Sequence, residues 1–263
     1  MGISGKNIRP VSRPQPRDSE LLMQSSVMVA AVLSTMLIGV SAPTWVGRFE
    51  QPGKPPAPWR SVKMSSERPT TYRVAYVAGK PAVEAIVDGS MSLLVRPLSI
   101  DLDKTPVLCW RWYVDAPVKK ADMTRKSGDD YAARVYVAFE VQDSALSGST
   151  KIKLRMARSL FGQAIPDAAV VYVWDNTHAI GTARKSSYTD RSQLIVAESG
   201  ARRARAWVSE RADIASDYAR AFPRQPGHPV QLAVAADGDN TNSKGRAAFA
   251  DIHFVGRGEP CAS

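Results

Sequence analysis

Cysteine and histidine are scarce, at two and three residues in a chain of 263. Cys109 and Cys261 form no CxxC pair, which excludes a zinc centre built on cysteines. Cys109 lies in an apolar run and reads as a small buried hydrophobe. Cys261 stands in a polar tail, and a bridge between the two requires a compartment outside the cytoplasm. His178, His228 and His253 show no HExxH or comparable spacing, so each reads as an ordinary loop or strand residue. The chain also lacks a G-x-S-x-G elbow, a P-loop and a dinucleotide fingerprint. No repeat of fixed period appears, and strands do not alternate regularly with helices, so solenoid, Rossmann and TIM architectures are excluded.

Acidic residues are outnumbered, 25 against 35 basic, giving a formal net charge of +10. Such an excess suits nucleic acid, anionic lipid or an acidic polymer. The bases are scattered, however. The densest cluster, ARRARAW at 201–207, reads as a solvated loop, and no RNA- or DNA-binding motif accompanies it. No nucleic-acid partner is expected.

The N-terminus is the longest charge-free stretch. Lys6, Arg9, Arg13 and Arg17 precede the uncharged residues 21–47, whose apolar heart is VMVAAVLSTMLIGV at 27–40. A basic segment followed by a short apolar one describes a secretory signal, with Val40-Ser41-Ala42 approximating a cleavage site despite Pro43. The run is also long enough to span a bilayer as an uncleaved anchor. Residues 1–44 are therefore expected to be a signal peptide or signal anchor. The protein is expected in the periplasm or secreted, or else tethered to the inner membrane with its domain facing outward. That anchor is the only membrane contact expected. Residues 45–71, rich in proline, read as a lead-in; 72–256 as one domain; and 257–263 as a tail.

From Tyr72 onward the pattern is short apolar runs separated by turn residues. Gly79-Lys80-Pro81 and Asp88-Gly89 carry hairpin chemistry. In VLCWRWYV (107–114), alternation puts Leu108, Trp110, Trp112 and Val114 on one face and Cys109, Arg111 and Tyr113 on the other. In YAARVYVAFEV (131–141), Ala133, Val135, Val137, Phe139 and Val141 oppose Arg134, Tyr136, Ala138 and Glu140. Further strands are predicted over 169–174, 192–199, 230–237 and 247–255. The count predicts a mainly β fold: an antiparallel, jelly-roll-like β-sandwich with one or two short helices. One helix is predicted over 209–222, capped by Ser209, stopped by Pro223 and docked by Ile214, Tyr218 and Phe222. A second is weaker, near 153–162.

Two polar clusters could carry chemistry. The first is the loop DGDNTNSKG after Ala236. Read as an EF-hand it fails, since Asn242 takes the glycine position and Ala248 the final glutamate position. Asp237, Asp239 and Asn240 are instead expected to close a polar turn by bonding their own backbone, with no metal and no cofactor. The second cluster places Asp129 and Asp130 before a strand bearing Arg134 and Tyr136. If that strand neighbours the one bearing Arg111 and Tyr113, two arginines, two tyrosines and several carboxylates share a sheet face. Guanidinium forks and aromatic rings suit sugar hydroxyls and uronic carboxylates; they also suit a closed ion-pair network. Candidate ligand-binding residues are thus Arg111, Tyr113, Asp129, Asp130, Arg134, Tyr136, Asp237, Asp239 and Asn240. Arg134 is expected to be structural and Arg111 closer to ligand. No catalytic residue is assigned.

The series CWRWYV, KSGDDYAARVYVAFE, AVVYVW, SERADIASDYARAF and AVAADGDNTNSKGRAAFADIHF resembles the bacterial family known as domain of unknown function 3047, from about residue 71 to 255. The resemblance implies an exported, single-domain, β-rich protein and carries over no catalytic or binding residue. The closing FADIHF is similar to the last strand of jelly-roll carbohydrate-binding modules. The leading functional expectation is a non-catalytic module for a polysaccharide or other envelope polymer. The alternatives are a glycan hydrolase or lyase, and a structural envelope protein.

Overall fold

The computed structural model describes residues 42–63, 68–161 and 165–262. The expected signal or anchor therefore lies, up to residue 41, outside the described residues. The strands are β1 (Thr44–Gly47), β2 (Arg60–Lys63), β3 (Thr71–Val77), β4 (Lys80–Asp88), β5 (Ser92–Pro97), β6 (Val107–Val114) and β7 (Ala133–Val141). After helix α1 (Gly148–Phe161) come β8 (Ala168–Asp175), β9 (Ala183–Lys185), β10 (Ser192–Ser199) and β11 (Val208–Asp213). Helix α2 (Ile214–Ala221) precedes β12 (Gly227–Ala235) and β13 (Lys244–Val255).

The strands form a β-sandwich. One sheet has the order β11-β6-β13-β4-β3, with β1 also paired to β13; the other runs β2-β5-β12-β7-β8-β10-β9. The inward faces of β6 and β7 are those that alternation predicts: Trp110, Trp112, Val135 and Phe139 share one buried core. Trp110 and Trp112 meet edge to face at 5.4 Å, and Trp112 leans on Trp174 of β8 at 5.7 Å. Ring pairs of this kind add to the area they bury.

Several details differ from the sequence reading. The sandwich is not wholly antiparallel, because β10 runs parallel to β8. The proline-rich stretch contributes β1 and β2 and places Phe49 and Trp59 in the core. Regular structure thus begins well before Tyr72. The helix predicted over 209–222 starts five residues later. Its first part is edge strand β11, in register with β6 from Val208↔Trp112 to Asp213↔Val107. Asp213 caps the helix in place of Ser209, accepting the Ser216 N–H at 2.9 Å. Ile214, Tyr218 and Phe222 are buried as the spacing predicts. The weaker helix is present but begins at Gly148.

Cys109 is not a free thiol. It bonds Cys261, with Cα atoms 5.8 Å apart. The tail is held a second time where the Ala262 N–H donates to His253 Nε2 at 2.8 Å. Burial is the main influence lowering the His253 pKa, which keeps this ring able to accept.

Candidate functional site

The pairing of β12 with β7 sets Ala235 opposite Arg134. Asp237, just past the end of β12, therefore meets the arginine that opens β7. Arg134 Nε donates to Asp237 Oδ1 at 2.8 Å and Nη2 to Asp237 Oδ2, a forked contact. Nη2 also donates to the Asp129 carbonyl, and Nη1 lies 3.4 Å from Asp129 Oδ2. The guanidinium sits 4.3 Å from the centre of the Tyr131 ring. Arg134 is only 5% exposed and Asp237 2%.

Burial pushes the Asp237 carboxyl up, to about 8, against the pull of Arg134. Burial alone would lower Arg134, but Asp237 and its neighbours more than reverse this and hold it well above its usual value. The Tyr131 N–H adds a third donor, 3.2 Å from Asp237 Oδ1. Both carboxylate oxygens thus face donors, so we take Asp237 as ionised.

Asp130 closes the loop beyond Asp237. It accepts from the Thr241 N–H at 2.7 Å, the Thr241 hydroxyl at 2.5 Å, the Asn240 N–H at 3.2 Å and Asn240 Nδ2 at 3.3 Å. The expectation that the loop bonds its own backbone is corrected here: a carboxylate 110 residues away holds two of its amides. Gly238 lets the loop fold back, since a Cβ there would lie 2.5 Å from the Ser243 carbonyl oxygen. Asp130, Asp237 and Asp239 each offer an oxygen within 4.8 Å of the others. A cation among them would compete with the Arg134 guanidinium and with the four donors on Asp130.

Seven of the nine sequence-predicted residues gather here: Asp129, Asp130, Arg134, Tyr136, Asp237, Asp239 and Asn240. Tyr136 lies beside Arg134, and burial chiefly raises its hydroxyl pKa. Arg111 and Tyr113 do not join them, because β6 and β7 belong to different sheets. Arg111 donates to Ser209 Oγ at 3.1 Å and pairs with Asp251 at 3.4 Å. Tyr113 packs against Trp207, ring centres 5.8 Å apart. The single aromatic and charged sheet face expected from the sequence is thus not formed.

Beside the Arg134 cluster is a cavity of about 390 Å³, lined by Asp115, Val118, Tyr131, Asp237, Lys244 and Arg246 among others. Tyr131 and Asp237 join it to the cluster. Arg246 is aimed by two carboxylates: Nε and Nη2 each reach Asp115 at 3.1 Å, and Nη1 reaches Glu84 at 3.2 Å. Glu84 is buried and also takes Arg73 Nε at 2.6 Å. The side chains of Asp115 and Arg246 remain 42% and 40% exposed. Asp115 and Arg246 were not singled out from the sequence. Their signal was positional: one follows the Trp-Arg-Trp strand and the other opens the last strand, where β6 and β13 pair.

The protein-family model described as "Protein of unknown function (DUF3047)" matches residues 57–253. The chain belongs to this family. The match bears out the resemblance drawn from the sequence motifs. Among curated protein sequences, none matches the chain. Among solved structures, this family member is similar to the family 11 carbohydrate-binding module of the cellulosomal cellulase Lic26A-Cel5E of Clostridium thermocellum. The TM-score is 0.41 with 11% identity, covering 84% of this chain and 98% of that one. A second similar structure is the family 30 carbohydrate-binding module of the Clostridium thermocellum cellulosomal cellulase Cel9D-Cel44B, at TM-score 0.41 and 10% identity, over 83% of this chain and 100% of that one. A third is the K3 adhesin domain of Lys-gingipain from Porphyromonas gingivalis, at TM-score 0.36 and 14% identity, over 81% and 99%.

A further titratable group lies under the basic loop 201–207. Glu210 accepts from Trp112 Nε1 at 3.2 Å, and burial raises its carboxyl from 4.5 to about 7, aided by nearby Glu198. Arg203 of the loop pairs with Glu198 at 2.8 Å. Because the folded value of Glu210 exceeds the unfolded one, its contribution is complete below pH 4.5 and is lost as pH rises through about 7. Charging this site costs about 3 kcal/mol. Glu210→Gln should therefore gain stability relative to wild type between pH 5 and pH 8 in thermal melts. Parallel curves for the two proteins would contradict it.

Proposed function

We propose that the protein is an exported, non-catalytic β-sandwich module that retains a glycan or another cell-envelope polymer in the cavity between 115–118 and 243–246. The observation that carries this reading is the cavity itself. It combines apolar walls, from Val87, Pro117 and Val118, with the polar residues Asp115, Arg246 and Lys244, the last paired with Asp88 at 3.0 Å. Its volume is at the lower end of the usual range for small-ligand sites, roughly 300–1,000 Å³, which suits one or two sugar rings. Asp115 and Arg246 hold each other in place before a ligand arrives, and the guanidinium's remaining N–H groups and the carboxylate's remaining lone pair can meet sugar hydroxyls. Export draws support from the Cys109–Cys261 disulfide, since such bonds persist in oxidising compartments.

A hydrolase needs one carboxyl group free to give a proton and a second to act across the bond. Asp129, Asp130 and Asp237 are engaged by Arg134 or by loop donors, Asp239 accepts from Asn240 Nδ2, and Asp115 is paired with Arg246. Glu140 is on the surface beside His228. This favours retention over turnover.

The test is affinity-gel retardation on a panel of neutral and acidic polysaccharides, with reducing-end release measured on the same mixtures. Wild type should be retarded by at least one polymer without releasing product. Asp115→Ala/Lys244→Ala removes only exposed ion pairs, which contribute about 0–1 kcal/mol each, so it should fold normally. It should bind that polymer about tenfold more weakly. Product release by wild type would move the reading to an enzyme. Absence of retardation across the panel would move it to a structural role.

A further inference from the structure

Helix α1 presents a face that the sandwich does not use. The helix carries four basic residues, Lys151, Lys153, Arg155 and Arg158, and no acidic one. One side fastens it to the rest of the molecule. Leu154 is buried in the main core, and Arg158 donates to the Ile165 carbonyl at 3.0 Å and pairs with Asp167 at 2.8 Å. The opposite side holds Ile152 and Met156, one turn apart, 59% and 61% exposed. They are two of only five large apolar side chains so exposed among the described residues. Lys153 and Arg155 flank them, exposed and without an ion pair among the described residues. Lys151, by contrast, lies 3.6 Å from Asp143, and Arg158 is spent on Asp167.

We infer that α1 lies on an anionic membrane surface, with Ile152 and Met156 entering the headgroup boundary and Lys153 and Arg155 meeting lipid phosphates. Two observations choose this occupant. The exposed face pairs an apolar spine with flanking long cations, the arrangement that settles in the plane of a bilayer interface. Its charge is of one sign and belongs to a chain of net charge +10, which complements an anionic leaflet. An acidic polymer would use the cations and leave the apolar pair in water. The contact differs from a spanning anchor, since no helix among the described residues is long and apolar enough to cross a membrane.

The experiment is sedimentation of the full chain with vesicles of phosphatidylglycerol and phosphatidylcholine. Binding to pure phosphatidylcholine vesicles is subtracted, which removes any contribution from apolar insertion elsewhere in the chain. Wild type should bind in proportion to phosphatidylglycerol and be released by salt. Lys153→Ser/Arg155→Ser should weaken that binding roughly thirtyfold. Ile152→Ser/Met156→Ser should weaken it at least about tenfold, while leaving retention on a polyphosphate resin unchanged. Lys54→Ser/Arg202→Ser, which removes two exposed cations elsewhere, should keep most of it. All four α1 residues are exposed, so the variants retain the fold. The inference is overturned if wild type shows no phosphatidylglycerol-dependent binding, or if both cation pairs matter equally. It is also overturned if the Ile152/Met156 variant binds vesicles as wild type does, which would assign the face to soluble polyanions.

Discussion

Arg134→Ala should cost about 3–5 kcal/mol of stability, because it strands buried carboxylates rather than deleting a surface contact. Asp237 loses its forked partner, and Asp129 and Asp130 lie close by with no other buried cation paired to them among the described residues. Burial already pushes Asp237 towards its neutral form, so without the guanidinium it will take up a proton well above the ordinary carboxylate range. Such a loss corresponds to a fall in melting temperature of roughly 6–20 °C for a domain of this size. Arg134→Lys should recover little, since an ammonium cannot donate a planar fork to Asp237. A double variant, Arg134→Met/Asp237→Asn, should regain part of the loss by removing both charges. Thermal melts of the four proteins provide the check. If Arg134→Ala melts within about 2 °C of wild type, the cluster is not the closed clasp described here.

Loss of the Cys109–Cys261 bond should have an effect of similar size. The bond joins positions 152 residues apart. By chain-entropy reasoning, a loop of that length restricts the unfolded state by about 5 kcal/mol, the upper end of what disulfides contribute. The bond also fastens the tail beside β6 and β13, where Cys261 packs against Val107 and Val255 and the Ala262 N–H donates to His253. Cys261→Ser, or wild type in excess reductant, should therefore melt far earlier than oxidised wild type, and reductant should add nothing further to the Cys261→Ser loss. Equal melting temperatures with and without reductant would show that the bond contributes nothing to folding.

Much of the fold was legible because it rests on period-two alternation. Leu108, Trp110, Trp112 and Val114 face inward, and Arg111 and Tyr113 outward, as the run VLCWRWYV predicts. Strand neighbours were not legible. Alternation says which face a side chain takes but not which sheet a strand joins, so Arg111 and Arg134 were grouped on one face when they belong to two. Edge strands were missed for a related reason. Residues 208–213, SERAD after a valine, contain alanine and charged residues that suit a helix; pairing with β6 overrides that preference.

The candidate site was half legible. Asp129, Asp130, Arg134 and Asp237 stand out as charged residues at the ends of apolar strands, and the pairing of β7 with β12 unites them. Their tightness was not legible, since it depends on β12 pairing with β7 in the register that sets Ala235 opposite Arg134, which no local pattern announces. Asp115 and Arg246 were passed over because each looks like an ordinary strand-end charge. Only the antiparallel register of β6 with β13 sets the two against each other over the cavity. The disulfide was left open for a similar reason: a sequence separation of 152 residues gives no hint of proximity.

The central claim is that the surface open to a ligand is the Asp115–Arg246 cavity, while the Arg134 cluster behind it is closed. Hydrogen–deuterium exchange of the full chain, with and without an oligosaccharide of the polymer that retards it, tests this most directly. The account predicts added protection in peptides covering 115–118 and 243–246, and none in those covering 207–211. Protection confined to 109–113 and 207–211, the outer face bearing Arg111 and Tyr113, would contradict it.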